Sequence, residues 1–255
     1  MDNRPIGIMD SGVGGLTVAA ALRRVRPEES ILYIGDSRRN PYGERTPEEI
    51  TRFAEEMKAF LIGKGVKAIL VACNTITFNT PPSFYEGPVP VTGMSTDFSS
   101  LPKVKKAAVF ATPASIASHS HRRGLEAALP GTAIAEVPCD GLAHAIETGA
   151  PEAEIREILQ GCIRRYGAED AGAAVLGCTH YPLVRPLFEE LMPETVFCDP
   201  AEQTVAEALR RLEADDALAE SCGDDVFYFT AAAEEAAALT EKVFGKTMPV
   251  RPAEL

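Results

Sequence analysis

Basic residues are in short supply in this chain. Only 25 Lys and Arg stand against 37 Asp and Glu, a formal net charge of -12. That balance excludes nucleic acid or an anionic membrane as the main partner, since both call for clustered Lys and Arg. The acidity falls on helix-like stretches such as "EAEIREI" and "AEEAAALTEK". It leaves the charge of a substrate open, because a local site can be positive on an acidic protein. Long apolar runs are also missing: none comes near the roughly 18–20 residues that a membrane span needs. The N-terminus, "MDNRPIGIMDSGVGG", lacks the charged, apolar and cleavage regions of a signal peptide, so a cytoplasmic location is expected. Cysteines number six, with no C-x-x-C pair. Free thiols, some merely buried, are the expectation in a reducing compartment. Cys178 and His180 form a C-x-H without a C-x-x-C or H-x-x-x-H partner, which is poor zinc spacing, and no metal site is predicted.

What remains is ordinary globular material: 24% charged and 45% AVILMFWYC residues in a chain of 255. That length suffices for one large or two modest domains with real cores. Strand-like runs alternate with helical patterns. "PIGIMD" leads through a Gly-rich turn to "LTVAAALRRV", and "SILYIGDS" leads through a polar loop to a helix at "TPEEITRFAEEMKAFLIGKG". There Thr46 can cap, Pro47 takes the first helical position and Glu49 completes a capping box. "KAILVAC", "VPVTGM", "KAAVFAT", "AIAEVPC", "AAVLGC" and "TVFCD" continue the strands, with helices predicted at about 117–129, 151–166, 201–213 and 233–244. Short Val/Ile/Leu-rich strands in βα alternation predict an α/β fold with mostly parallel sheets flanked by helices.

An internal repeat sharpens this expectation. "IGIMDSGVGGLTV" and "AAVFATPASIAS" are each a strand entering a small-residue turn and a helix; "ILVACNT" and "VLGCTH" are each a strand ending on a cysteine. Asp10 and Cys73 are 63 positions apart, Thr112 and Cys178 66. Two pseudo-symmetric lobes are predicted: lobe one over 1–95, completed by about 207–255, and lobe two over 96–206. Ligands of such sheets sit beyond the carboxyl ends of the strands, so the active site is expected in a cleft between the lobes.

A cysteine ending a buried strand is commonly a small core residue. Cys73, however, is followed by Asn74 and Thr75, and Cys178 by Thr179 and His180. These are poor continuations of a core strand and good donors and acceptors at a pocket rim. Two thiols suit a reaction with a base on one face of a carbon and an acid on the other, which inverts a stereocentre. A thiol is only a few per cent ionised at neutral pH and needs a helper. Asp10 and His180 are the candidates, although a helix cap explains the first and a backbone-bonded core histidine the second. "DSGVGG" departs from the phosphate-loop patterns and instead offers free N–H groups at a helix start, a ready site for a carboxylate. "GDSRRNPYGE" is the next loop on that edge, and an ordinary turn accounts for it as well as substrate contact does. A Cys178–His180 nucleophilic hydrolase also fits the second motif but leaves Cys73 unexplained.

In this order and spacing, "DSGVGG", "GDSRRNPYGE", "ACNT" and "LGCTHYPL" resemble the glutamate racemases of the cofactor-independent aspartate/glutamate racemase family. The resemblance implies a two-lobed α/β fold and interconversion of L- and D-glutamate without pyridoxal phosphate or any other cofactor. It also implies supply of D-glutamate for peptidoglycan, and a homodimer as the partner state. On it, Cys73 and Cys178 would be the acid/base pair, acting on the D- and L-enantiomer respectively. Asp10 would assist the first and His180 the second. Ser11, Pro41, Tyr42, Gly43, Asn74, Thr75, Thr112, Ser115 and Thr179 would hold the substrate. The second lobe departs from the family pattern: Ala111 replaces Gly, Ser115 replaces Thr and His121 replaces Tyr, while "GMSTDF" and "CDGLAHAIE" stand where other motifs are usual. Those changes leave an aspartate or broad-specificity racemase, or a binding protein without turnover, as competing expectations. Cys139, Cys162, Cys198 and Cys222 are read as core or surface thiols.

Overall fold

The computed structural model describes residues 1–255. The first 94 residues contribute β1 (Ile6–Asp10), α1 (Leu16–Val25), β2 (Ile31–Gly35), α2 (Pro47–Gly63), β3 (Ala68–Val71), α3 (Asn74–Asn79) and β4 (Val91–Thr92). The middle of the chain holds β5 (Lys106–Ala111), α4 (Pro113–Ala117), α5 (Ser120–Ala128), β6 (Ala133–Pro138) and α6 (Leu142–Glu147). It continues with α7 (Glu152–Arg165), β7 (Ala173–Gly177), α8 (Arg185–Leu191) and β8 (Val196–Cys198). Last come α9 (Ala201–Ala214), β9 (Val226–Phe229), α10 (Ala233–Phe244) and β10 (Val250–Pro252). Two compact units result: Met1–Met94 with Ala201–Leu255, and Ser95–Pro200. No helix is long and apolar enough to cross a membrane.

Each unit is built on one parallel sheet, of order β10-β9-β2-β1-β3-β4 in the first and β6-β5-β7-β8 in the second. Side chains alternate across a strand, and the first unit's core divides accordingly. Ile6, Ile8, Ile31, Tyr33, Ala68 and Leu70 face α1, α9 and α10. Met9, Leu32, Ile34, Ile69 and Val71 face α2 through Ile50, Phe53, Met57 and Leu61. Both faces are therefore covered, which is why the strands read as continuous apolar runs rather than alternating ones. The second unit repeats the scheme, with Ala108, Phe110, Ala174 and Leu176 against α7 and α8, and Ala107, Val109, Ala173 and Val175 against α5.

The two orders share a feature that positions the site. β1 pairs with β2 on one side and β3 on the other; β5 pairs with β6 and β7 in the same way. The crossovers leave the first strand in opposite directions, and the gap this opens at the carboxyl edge is where α/β sheets bind ligands.

Local signals placed the helices. Thr46 Oγ1 accepts the Glu49 N–H at 3.3 Å and Glu49 Oε2 accepts the Thr46 N–H at 3.0 Å, with Pro47 first in α2. The helix expected over 117–129 is α5, which starts only at Ser120 because His119 takes a left-handed backbone at φ 54°, and α4 precedes it as an additional short helix. β9 and β10 are additional strands that the alternation did not reveal.

The amino edge of the first sheet is tied by a buried ion pair. Lys67 Nζ sits 2.7 Å from Glu29 Oε2, and donates to the carbonyls of Asp2 at 2.6 Å and Ala217 at 2.9 Å. Glu29 Oε1 accepts the Ala219 N–H at 2.8 Å. Removing one partner of such a pair strands the other charge in the interior, so Lys67→Ala should cost about 3–5 kcal/mol in urea unfolding. A loss below about 1 kcal/mol would mean that the pair is replaced by water.

Candidate functional site

At the β1/β3 gap, Asp10 ends β1 fully buried, on the α1 face with Ile6 and Ile8. Its Oδ2 accepts the N–H groups of Gly12 at 3.1 Å and Gly15 at 3.0 Å. These two amides of the glycine turn are thus taken by the chain's own carboxylate, which corrects the expectation that they lie open to a ligand's. Gly15 has to be glycine: a Cβ there would lie 2.7 Å from Asp10 Cβ and 3.0 Å from Ala72 Cβ. The Tyr33 hydroxyl fixes the turn from the other side, donating to the Gly12 carbonyl at 2.8 Å.

Cys73 follows β3 and caps α3, whose first residues are Asn74 and Thr75; all three are buried. Helix starts favour residues that leave the strand and offer polar side chains, which explains why the apolar run stops here. The Cys73 thiol donates to Ser11 Oγ at 3.6 Å, so the residue after Asp10 is in touch with the sulfur.

Pro41 and Gly43 are half-buried in the loop after β2 and flank the buried Tyr42. The Tyr42 hydroxyl donates to Asp36 Oδ2 at 2.5 Å, and Asp36 also accepts from Arg39 Nε at 2.5 Å and Thr230 Oγ1 at 2.8 Å. Burial, then the Asp36 charge, push the Tyr42 phenol far above its usual range. It remains a donor committed to Asp36.

At the β5/β7 gap, Thr112 caps α4. Thr112 Oγ1 accepts the Ser115 N–H at 3.3 Å and lies 3.0 Å from Ser115 Oγ. Cys178, Thr179 and His180 follow β7 and are all buried. Cys178 Sγ lies 3.6 Å from His180 Nδ1. His180 Nε2 is held by Glu147, the last residue of α6, through Oε2. Burial would drive the proton off this imidazole, but the Glu147 carboxylate and then the Cys178 thiol outweigh it, and His180 titrates well above the ordinary histidine range. An imidazole whose protonated form is favoured is thereby fixed beside a sulfur. Glu147 is the partner of His180 that the sequence did not point to. It lies 33 positions before His180, and its only signal is that it closes the segment "CDGLAHAIE".

His121 is the second buried histidine of this unit, stacked on Phe98 with ring centroids 6.3 Å apart. Gly177 leaves room for it, since a Cβ there would meet His121 Nε2 at 2.9 Å. Burial lowers this imidazole to about 4, the opposite direction from His180. Of the other cysteines, Cys139 and Cys198 are buried, Cys162 is half-buried and Cys222 exposed. No cluster of three or more His, Cys, Asp or Glu side chains is arranged to hold a metal ion.

A family model described as Asp/Glu/Hydantoin racemase matches residues 16–208. The curated glutamate racemase of Lactococcus lactis subsp. cremoris (strain MG1363) is 41% identical over 203 residues, 77% of this chain and 74% of that protein. Among solved structures, a glutamate racemase isoform from Bacillus anthracis superposes with a TM-score of 0.89 at 30% identity, covering 100% of this chain and 99% of that one. The glutamate racemase from Francisella tularensis in complex with D-glutamate gives 0.88 at 29% identity, covering 100% and 98%.

The two histidines predict opposite responses to pH. In Glu147→Gln the counter-charge is gone and only the Cys178 contact still opposes burial, so the His180 pKa followed by nitrogen NMR should fall below that of the parent. The stability contributed by the parent's charged pair is complete below the unfolded-state pKa of about 6.5 and is lost as pH rises through the folded value. For His121 the sign reverses. Its folded pKa of about 4 lies below the 6.5 of the unfolded chain. Roughly 3 kcal/mol should therefore be lost as pH falls across that interval, and His121→Phe should flatten the acid limb of the urea-unfolding profile.

Proposed function

The chain belongs to the Asp/Glu/Hydantoin racemase family, and on that premise we propose that it interconverts L- and D-glutamate by proton transfer between two cysteines. The observation that carries the reading is the matched pair of strand ends. Each sheet has the same switch point, and in each the strand across it ends on a buried thiol followed by polar residues, Cys73-Asn74-Thr75 and Cys178-Thr179-His180. The named activity of the relatives at 30% identity and above supports glutamate as substrate.

In the proposed mechanism the Cys73 thiolate removes the α-proton of D-glutamate while the Cys178 thiol returns a proton to the opposite face; the reverse reaction exchanges the roles. Proton transfer by a positioned group of matched acidity is the usual source of such rate enhancement. His180, charged and bonded to Glu147, supplies and recovers the Cys178 proton. Asp10 organises the glycine turn that carries Ser11, the partner of Cys73. Asn74, Thr75, Thr112, Ser115, Thr179 and the Pro41–Gly43 loop would hold the amino and carboxylate groups. No cofactor takes part, and a homodimer working in the cytoplasm to supply D-glutamate for peptidoglycan completes the proposal.

Incubation of the purified protein with either enantiomer of glutamate in D₂O, without added cofactor, should give racemisation with deuterium at the α-carbon. Cys73→Ser and Cys178→Ser should each lower kcat by about 10²-fold or more. Exchange confined to aspartate would move the substrate assignment. Absence of exchange with every acidic amino acid would overturn the reading.

A further inference from the structure

Tyr33 is fully buried in the middle of β2, where the ring of a phenylalanine would pack as well. Two aromatic side chains of β9 flank its ring, with centroids 5.8 Å away for Phe227 and 5.4 Å for Phe229. What needs a reason is the hydroxyl, because a buried O–H is costly unless it is bonded. It donates to the Gly12 carbonyl at 2.8 Å.

Gly12 follows Ser11, and both of its backbone polar groups are held. Its N–H goes to Asp10 Oδ2 at 3.1 Å and its carbonyl to Tyr33. A glycine has no Cβ to restrict its dihedrals, so these two bonds do the restricting. The carbonyl also lies in a narrow slot. Gly35 comes next after Tyr33 on the same face of β2, and a Cβ there would stand 2.3 Å from the Gly12 oxygen. A Cβ at Gly15 would come 3.0 Å from the Tyr33 hydroxyl. The peptide after Ser11 is thus aimed from below, and Ser11 Oγ in turn accepts from the Cys73 thiol at 3.6 Å.

Given the two-cysteine reading above, we propose that Tyr33 is a positioning residue for the reaction: by fixing the Gly12 carbonyl, its hydroxyl sets where Ser11 meets the Cys73 sulfur. The contact at sulfur is already long, and a shift of about 1 Å would carry it out of reach. Through Phe227 and Phe229, the last part of the chain braces a group on the first loop.

Tyr33→Phe keeps the ring and removes only the hydroxyl. In the full chain, kcat on glutamate should fall about tenfold while KM stays within about twofold of the parent. In Ser11→Ala the aimed group is gone, so adding Tyr33→Phe should lower kcat by no more than about twofold further, since changes that act through one contact are not additive. A hydroxyl that serves the fold alone would lower the unfolding midpoint and leave kcat of the folded protein unchanged, which would overturn the proposal. An undiminished tenfold loss in the Ser11→Ala background would overturn it too. Amide hydrogen exchange reads the turn without turnover: Gly12 and Gly15 N–H should exchange about tenfold faster in Tyr33→Phe, with the amides of α2 at parent rates. If the parent does not racemise glutamate, the racemase reading fails on its own. Exchange then decides the role of Tyr33, and unchanged rates at Gly12 and Gly15 would sink it.

Discussion

A parallel sheet brings all its carboxyl ends to one edge, and the strand from which the chain first leaves in one direction and then in the other has an uncovered gap beside it. Both units place that gap beside their first strand, β1 and β5. Side chains there meet turns and helix starts whose free N–H groups can bond them, as Asp10 shows, so polar residues are tolerated next to strands that are otherwise wholly apolar. Asp10, Ser11, Cys73 and Asn74 occupy one such edge, and Thr112, Cys178 and His180 the other. The chemistry proposed for this chain follows from using the same gap twice.

The interior of the second unit shows how one carboxylate decides the state of a buried base. His180 and His121 are both shut away from solvent, yet the pKa of one is pushed up and that of the other down. The difference is chiefly Glu147, with the Cys178 sulfur beside it. A buried ion pair is a poor device for stability, since desolvation consumes most of the attraction. In the proposed mechanism the same pair holds a proton ready beside the Cys178 sulfur. Asp36 does comparable work in the first unit, gathering Tyr42, Arg39 and Thr230 so that the loop after β2 is held from beneath.

Much of this was legible in the chain itself. Continuous Val/Ile/Leu runs announced buried parallel strands, the capping box at Thr46 announced α2, and the echo of "VACNT" in "LGCTH" announced the paired thiols. Other parts were hidden for physical reasons. β10 is three residues with a proline, and β9 follows a polar stretch, so neither carries the length that marks a core strand. α3 starts inside the motif itself, where Asn74 and Thr75 read as loop residues. Glu147 meets His180 only through folding, since nothing in a spacing of 33 residues predicts contact.

The strand order has a consequence for the chain as it is made. β2 exposes its outer edge until β9 arrives, and β9 lies almost two hundred residues later. The second unit, by contrast, is drawn from one unbroken segment. On a ribosome the later-encoded unit therefore has every strand it needs while the earlier-encoded one is still short of two. An unpaired edge is the part of a nascent sheet most exposed to pairing with another chain. The last thirty residues, far from Cys73 and Cys178 in sequence, are what finally supply its missing strands.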